Sequence, residues 1–393
     1  MITADVRRLF LTRTVRLFAY GALSVILVVY LTTLGLGAAQ VGTLLTLTLA
    51  GDTAISLWLT TRADRLGRRR MLMVGAILMA AAGMAFATTR SFLLLMIAGT
   101  IGVISPSGNE VGPFLPIEQA ALSQVVPAAR RTGVFAWYTL AGSLATALGS
   151  LMGGFLSHAL RSYRVIIFGY AALGLVLAGV FARLSTGVEV LTTARAPGPA
   201  GLGRSRGIVF RLAALFGLDA FGGGFVVQSF AAYWFYLRFA VNPATLGTIF
   251  FGANVFAGVS ALLASRLAAR FGLVRTMVFT HLPSNVLLML VPVMPTLPLA
   301  VLVLLLRFSI SQMDVPTRQS YVMAVVGPDE RSAAAGVTGV ARTTGAALAP
   351  VCAGWMLARP AWISAPFFLA GALKILYDVL LYRAFIGVRP EDT

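Results

Sequence analysis

Apolar runs of about twenty residues recur along the whole chain and leave little choice of fold. A helix crosses the ~30 Å hydrocarbon core of a bilayer with about 20 such residues. Twelve runs can be laid out, at 14–34, 41–61, 71–88, 92–126, 132–155, 162–183, 209–236, 244–265, 276–294, 298–325, 333–357 and 362–382. Charged residues make up only 11% of the 393, well under half the ~25% of a soluble domain. The chain therefore reads as an all-α polytopic membrane protein with twelve transmembrane helices.

The net charge of +18 invites a nucleic-acid partner, but its distribution argues against one. With the N-terminus in the cytoplasm, 22 of the 31 Lys and Arg fall at cytoplasmic ends and loops, and five fall outside: Arg90, Arg161, Arg164, Arg238 and Arg359. That is the positive-inside bias of a membrane protein. Both termini are expected in the cytoplasm. Arg7, Arg8, Arg13 and Arg16 ahead of the first run resemble a signal-peptide flank, yet no A-x-A-like site follows, so the run is expected to be retained. One lysine against thirty arginines suggests a GC-rich bacterial genome, hence a bacterial inner membrane. His158 and His281 lack Cys, Asp or Glu at ligand spacing, the single Cys352 excludes an intrachain disulfide, and no metal is expected.

Between the sixth and seventh runs lies "LSTGVEVLTTARAPGPAGLGRSRG", rich in Pro, Gly and Arg and too polar to span. It divides the chain into bundles 1–183 and 209–393, with 184–208 as a cytoplasmic linker. The halves match each other. "FLPIEQAALSQVVP" aligns with "DVPTRQSYVMAVVG" at an offset of 200, pairing Pro116 with Pro316 and Gln119 with Gln319, and "RADRLGRRR" aligns with "LAARFGLVR" at 205. Repeated halves are a transporter architecture.

The stretch "RADRLGRRRM" between the second and third runs resembles the loop signature G-x-x-x-D-R-x-G-R-R/K of the major facilitator superfamily. Asp64, Arg65, Gly67, Arg68 and Arg69 occupy its positions, with Thr60 in place of the first glycine. The resemblance implies two pseudo-symmetric six-helix bundles and a gating role for Asp64, Arg65, Gly67 and Arg68. In the fifth run, Ala145, Gly149, Ser150, Gly153 and Gly154 resemble the G-x-x-x-G-P-x-x-G-G of the drug–proton antiporters in that superfamily, which implies export by antiport. The same small residues also let helices approach closely.

The fourth run carries "SPSGNEVGPFLP" in its middle. As one helix, 92–126 would be about 52 Å long, while its flanks are too short to span alone. The reading is one span with a non-helical centre, eight residues longer than its counterpart in the second half. Unwound backbone at membrane depth survives only where protein or a watered cavity satisfies it. Asn109 and Glu110 are expected to point into a central cavity.

Buried charges supply the remaining candidates, because each costs about 2.5–3.5 kcal/mol at mid-bilayer if unpaired. Lys374 and Asp378, four apart, are expected to neutralise each other. Glu118 and Arg318, at equivalent repeat positions, are expected to form a gating salt bridge between the halves. Asp52, Asn109, Glu110, Asp219, Arg307, Asp314 and Arg342 are left for substrate and protons. Asp219 precedes Gly222, Gly223 and Gly224, a weak point of its helix; Tyr20, Trp137, Tyr138 and Gln228 are possible cavity walls.

No G-x-x-x-x-G-K-[ST] phosphate loop is present. The expectation is a secondary transporter, a monomer without cofactor, driven by the proton gradient and exporting a small organic molecule. Proton-coupled import of an organic anion through Arg307 and Arg342 is the alternative. An integral membrane enzyme is a remote one, since no catalytic constellation is visible.

Overall fold

The computed structural model describes residues 4–110, 112–189, 202–203, 205–327 and 330–388, except for the side chains at 64, 128–132 and 332. Residues 190–201 and 204 of the expected linker lie outside the described residues. Among the described residues, fifteen α-helices follow one another: α1 Ala4–Thr33, α2 Ala38–Leu66, α3 Arg68–Thr88, α4 Phe92–Ile101, α5 Phe114–Val125, α6 Ala128–Ala159, α7 Tyr163–Phe181, α8 Arg206–Gly224, α9 Gln228–Phe239, α10 Pro243–Phe271, α11 Leu273–Leu290, α12 Leu297–Ser311, α13 Asp314–Ala324, α14 Arg331–Leu357 and α15 Ala365–Phe385. Among the described residues, ten helical stretches are long and apolar enough to cross a membrane.

The helix surfaces confirm the solvent. On α4, Leu93, Leu94, Ile97 and Ile101 are 47–60% exposed while Leu95 and Gly99 are buried. A face of large aliphatic side chains at helical spacing belongs against lipid tails. Arg359 lies 3.5 Å over the Trp355 ring, with Trp362 edge-on to Trp355 at 5.4 Å. Aromatic and basic groups of this kind anchor helix ends at the membrane surface.

The chain forms two compact units, Met1–Thr193 with Val227–Val255, and Ala194–Val226 with Phe256–Thr393. The division between Thr193 and Ala194 lies within the expected linker at 184–208; the difference is that Val227–Val255, expected in the second bundle, groups with the first unit. The seventh run breaks after Gly222, Gly223 and Gly224, and its second part, α9, packs on α1 of the first unit. Within the first unit α1 packs closely on α6, where the backbones of Phe18 and Ala22 leave no room for a β-carbon on Gly149 or Gly153. In the second unit α8 packs on α14 in the same manner.

The fourth run is interrupted as expected: α4 ends at Ile101 and α5 begins at Phe114. Gly108 and Gly112 adopt φ of +70° and +78° there, a region costing an L-residue about 1–2 kcal/mol. The excess over the second unit is five residues rather than eight. α4 and α12 start 205 apart, and their buried pairs, Leu95 with Gly99 and Ala300 with Leu304, keep that offset; beyond the break the offset is 200.

Candidate functional site

Each unit holds a buried ionic cluster. In the first, Arg16 on α1 is fully buried, and its Nη1 and Nη2 donate to both oxygens of Glu118 on α5 at 2.9 and 2.8 Å. Thr12 donates to the same carboxylate at 2.8 Å, and the Tyr138 hydroxyl makes a very short bond to it. Glu110, at the end of the break, accepts from Arg13 at 2.5 Å and from Arg16 at 3.1 Å. The guanidinium of Arg16 lies over the Phe114 ring and that of Arg13 over Tyr138. Two cations and two carboxylates thus close on themselves, with hydrogen bonds to the remaining lone pairs, as burial requires.

The second cluster is built on the same pattern with the charges exchanged. Asp219 on α8 accepts from Lys374 on α15 at 2.6 Å and from Arg318 on α13 at 3.0 Å. Arg318 also pairs with Asp314 at 3.2 Å. His281 on α11 sits between two acids, its Nδ1 2.9 Å from Asp378 and its Nε2 3.6 Å from Asp219. Asn285 donates to the other oxygen of Asp378 at 3.0 Å. Asp219, His281 and Asp314 also lie close enough together to hold a metal ion. Lys374 and Arg318 already supply the compensating positive charge, so the donor set does not suit one.

These partners correct two expectations. Glu118 and Arg318 do not take each other: Glu118 is saturated by Arg16, Thr12 and Tyr138, and Arg318 by Asp219 and Asp314. Lys374 does not take Asp378 either. Four residues of helix place two side chains on one face, but a carboxylate on a facing helix, at 2.6 Å from the ammonium, wins over a neighbour sharing the same backbone. His281, set aside in the sequence as without ligand spacing, is a member of this cluster. Arg13 and Arg16 were missed because they resemble a topological flank. The available signal was their i, i+3 spacing, which places both on one face of a helix that begins at Ala4 rather than at 14.

The break itself is held by protein. The Pro106 carbonyl accepts from the backbone and the hydroxyl of Ser229 at 3.0 and 2.6 Å. The Val103 carbonyl accepts from Tyr170 at 2.7 Å, and the Gly112 amide donates to Asp52 at 2.6 Å. Asp52 is thus an organiser of the break. Asn109 is exposed, its carbonyl accepting from Ser105 at 2.8 Å. Gln228 donates to Ser24 at 2.8 Å and accepts from Asn254 at 3.1 Å. Tyr20 stacks on Tyr170, while Trp137 is 67% exposed.

The loop after α2 is pinned within its own unit. Gly67 has φ of +99°, and the first amides of α3, on Arg68 and Arg69, donate to the Glu189 carboxylate at 2.7 and 3.2 Å. A carboxylate there also suits the helix dipole. Arg68 is buried and donates to Gln124 at 2.6 Å, whereas Arg65 is exposed. The Asp64 side chain lies outside the described residues. Arg307 and Arg342, finally, have a buried Nε without a hydrogen-bond partner.

The sequence profile of the Major Facilitator Superfamily matches residues 9–237 and again 212–393. The chain belongs to that superfamily. It is 28% identical to an uncharacterized membrane protein of Saccharomyces cerevisiae, YJR124C, over 98% of this chain and 94% of that one. It is also 28% identical to the quinolone resistance protein NorA of Staphylococcus aureus, over 39% of this chain and 38% of that one. Among solved structures, the nucleoside transporter NupG superposes with a TM-score of 0.76 at 14% identity, covering 98% of this chain and 99% of that one. The likeness to NupG is one of fold. The superfamily member described here is a multi-pass secondary transporter.

Proposed function

We propose that this transporter couples the export of a small organic molecule to protons through the Asp219 cluster, in a bacterial inner membrane with both termini cytoplasmic. The observation that carries the reading is Asp219 itself, one buried carboxylate holding Lys374 and Arg318 from two other helices. Breaking a buried ion pair outright costs about 3–5 kcal/mol, more than the ~2.3 kcal/mol that 100 mV supplies per charge. A proton delivered to Asp219 cancels the anion that ties both cations to α8: Arg318 keeps Asp314 on its own helix, and Lys374 is released from Asp219, its one carboxylate among the described residues. The similarity to NorA over part of the chain supports export and a drug-like cargo.

The test is proton movement in proteoliposomes loaded with a pH-sensitive dye, on adding cationic, neutral and anionic compounds in turn. Wild-type protein is expected to move protons with at least one compound, and Asp219→Asn to slow that flux at least tenfold while remaining folded. A labelled compound that equilibrates with no proton movement sinks the coupling. Everted vesicles decide direction: uptake into them on acidifying the lumen is expected, and uptake into right-side-out cells under an inward proton gradient would make the chain an importer.

A further inference from the structure

The repeat shows two places where the units differ in kind. Along α6 and α14 the offset of 200 pairs buried Tyr138 with Thr338 and Ala147 with Ala347, so Arg342 corresponds to Gly142. Along α4 and α12 the offset of 205 makes Arg307 correspond to Gly102. Both positions are glycine in the first unit, so the architecture does not need an arginine at either.

The surroundings of Gly142 show what is missing in the second unit. A β-carbon on Gly142 would lie 2.6 Å from Nε of Arg13: in the first unit that space belongs to a guanidinium reaching over from α1, and its counter-ion is Glu110, supplied by the break. In the second unit position 342 carries the guanidinium directly. The matching junction there, Gln312 and Met313, is two residues long and offers no counterpart of Glu110. Asp219 and Asp314 lie within electrostatic range of both Arg307 and Arg342, but they are bonded to Lys374 and Arg318. Arg318, a like charge, is also a neighbour of Arg342. Four arginines have a buried Nε without a partner, Arg13, Arg307, Arg318 and Arg342; Arg13 and Arg318 are ion-paired, whereas among the described residues Arg307 and Arg342 have no ion pair. With Arg307 and Arg342 within electrostatic range of the cluster, the arginines and lysine there number four, Arg307, Arg318, Arg342 and Lys374, against Asp219, Asp314 and Asp378.

We propose that Arg307 and Arg342 form an anion-binding site in the second unit, which takes the carboxylate, sulfonate or phosphate-ester group of a small organic substrate. The incoming acid does for Arg342 what Glu110 does for Arg13. Guanidinium groups suit such acids because their planar fork matches two oxygens at once. The inference rests on the reading of the chain as a transporter but holds for either direction of movement. Depth separates a free anion from a lipid headgroup. Arg342 lies eleven residues from one end of α14 and fifteen from the other, about 16 and 22 Å along the axis, so a headgroup would have to leave its layer to reach it.

The experiment uses the full chain in phosphatidylcholine nanodiscs and compares benzoate, benzenesulfonate and phenyl phosphate with neutral benzenesulfonamide by calorimetric titration. At least one anion is expected to bind tenfold or more tighter than the sulfonamide, with Arg307→Gln and Arg342→Gln each weakening it at least tenfold. In wild type the same anion is expected to protect Arg307 and Arg342 from phenylglyoxal, read by mass spectrometry of the peptides, an answer that does not depend on the variants folding. No preference for the anions, or labelling of both arginines unchanged by them, overturns the site. Protection by phosphatidylglycerol nanodiscs alone, with none by the small anions, assigns it to a headgroup and also overturns it. Anion binding without flux of any compound would keep the site and sink the transporter reading; proton flux with cations or neutral compounds only, and no protection, would do the reverse.

Discussion

The two units solve one problem with opposite signs. In the first, an arginine on its first helix, Arg16, meets a carboxylate two residues after a conserved-in-repeat proline, Glu118 after Pro116. In the second, a carboxylate on the equivalent helix, Asp219, meets an arginine two residues after Pro316, Arg318. The positions correspond: Thr146 and Ala346 contact Gly21 and Gly224, which sets α1 and α8 at an offset of 203, and Arg16 and Asp219 are 203 apart. The fold therefore asks for a pair at this place and is indifferent to which helix carries the cation. The consequence is chemical. A proton can discharge either carboxylate, but in the first unit Arg16 keeps Glu110 when Glu118 is neutralised, whereas in the second Lys374 is bonded to no other carboxylate among the described residues.

The sharpest way to break this comparison is to reverse the first pair. Arg16→Glu or Glu118→Arg alone buries two like charges at a site with no exposure, and a loss of about 3–5 kcal/mol or more is expected, seen as little monodisperse protein on size-exclusion chromatography. The double reversal copies the order of the second unit and should recover much of the folded yield. A double variant no better than either single one would show that the helices are not interchangeable carriers.

A smaller effect is expected at Lys374→Met. Asp219 keeps the Arg318 bond and its approach to His281, so the anion is left under-partnered rather than bare. The loss of one charged hydrogen bond is worth about 1.5–3 kcal/mol, measured as a drop in thermal midpoint in detergent. If Lys374→Met costs as much as an Arg16→Met control, the second cluster has no redundancy and the contrast fails.

What the sequence disclosed follows from what a sequence encodes. Span positions, the repeat and the interrupted fourth run all depend on position along the chain, which apolar runs, Pro and Gly mark directly. Partner choice among buried charges depends on the azimuth of each side chain and on which helix faces it. Glu118 and Arg318 were matched by symmetry and Lys374 and Asp378 by spacing, and in both cases a group on a packed neighbour stands closer. Asp52 shows the same limit. Its burial within a span marked it as a candidate for substrate or protons, yet nothing in its neighbourhood along the chain points to Gly112, the amide it accepts from.

That bond offers the finest test of how the first unit tolerates a break its counterpart lacks. Asp52→Asn keeps a side-chain oxygen able to accept from the Gly112 amide, so a change under about 1 kcal/mol is expected. Asp52→Leu leaves that amide unsatisfied among apolar neighbours, at a cost of about 1–3 kcal/mol. Gly112→Ala, which keeps the acceptor but forces an alanine to φ of +78°, should cost about 1–2 kcal/mol. Thermal midpoints of the three variants in detergent separate the contributions. If Asp52→Asn instead falls as far as Asp52→Leu, the charge rather than the hydrogen bond holds the break. Asp52 would then respond to pH as a titrating latch on the first unit, with the break secured while the carboxylate is ionised and loosened as pH falls and it takes up a proton.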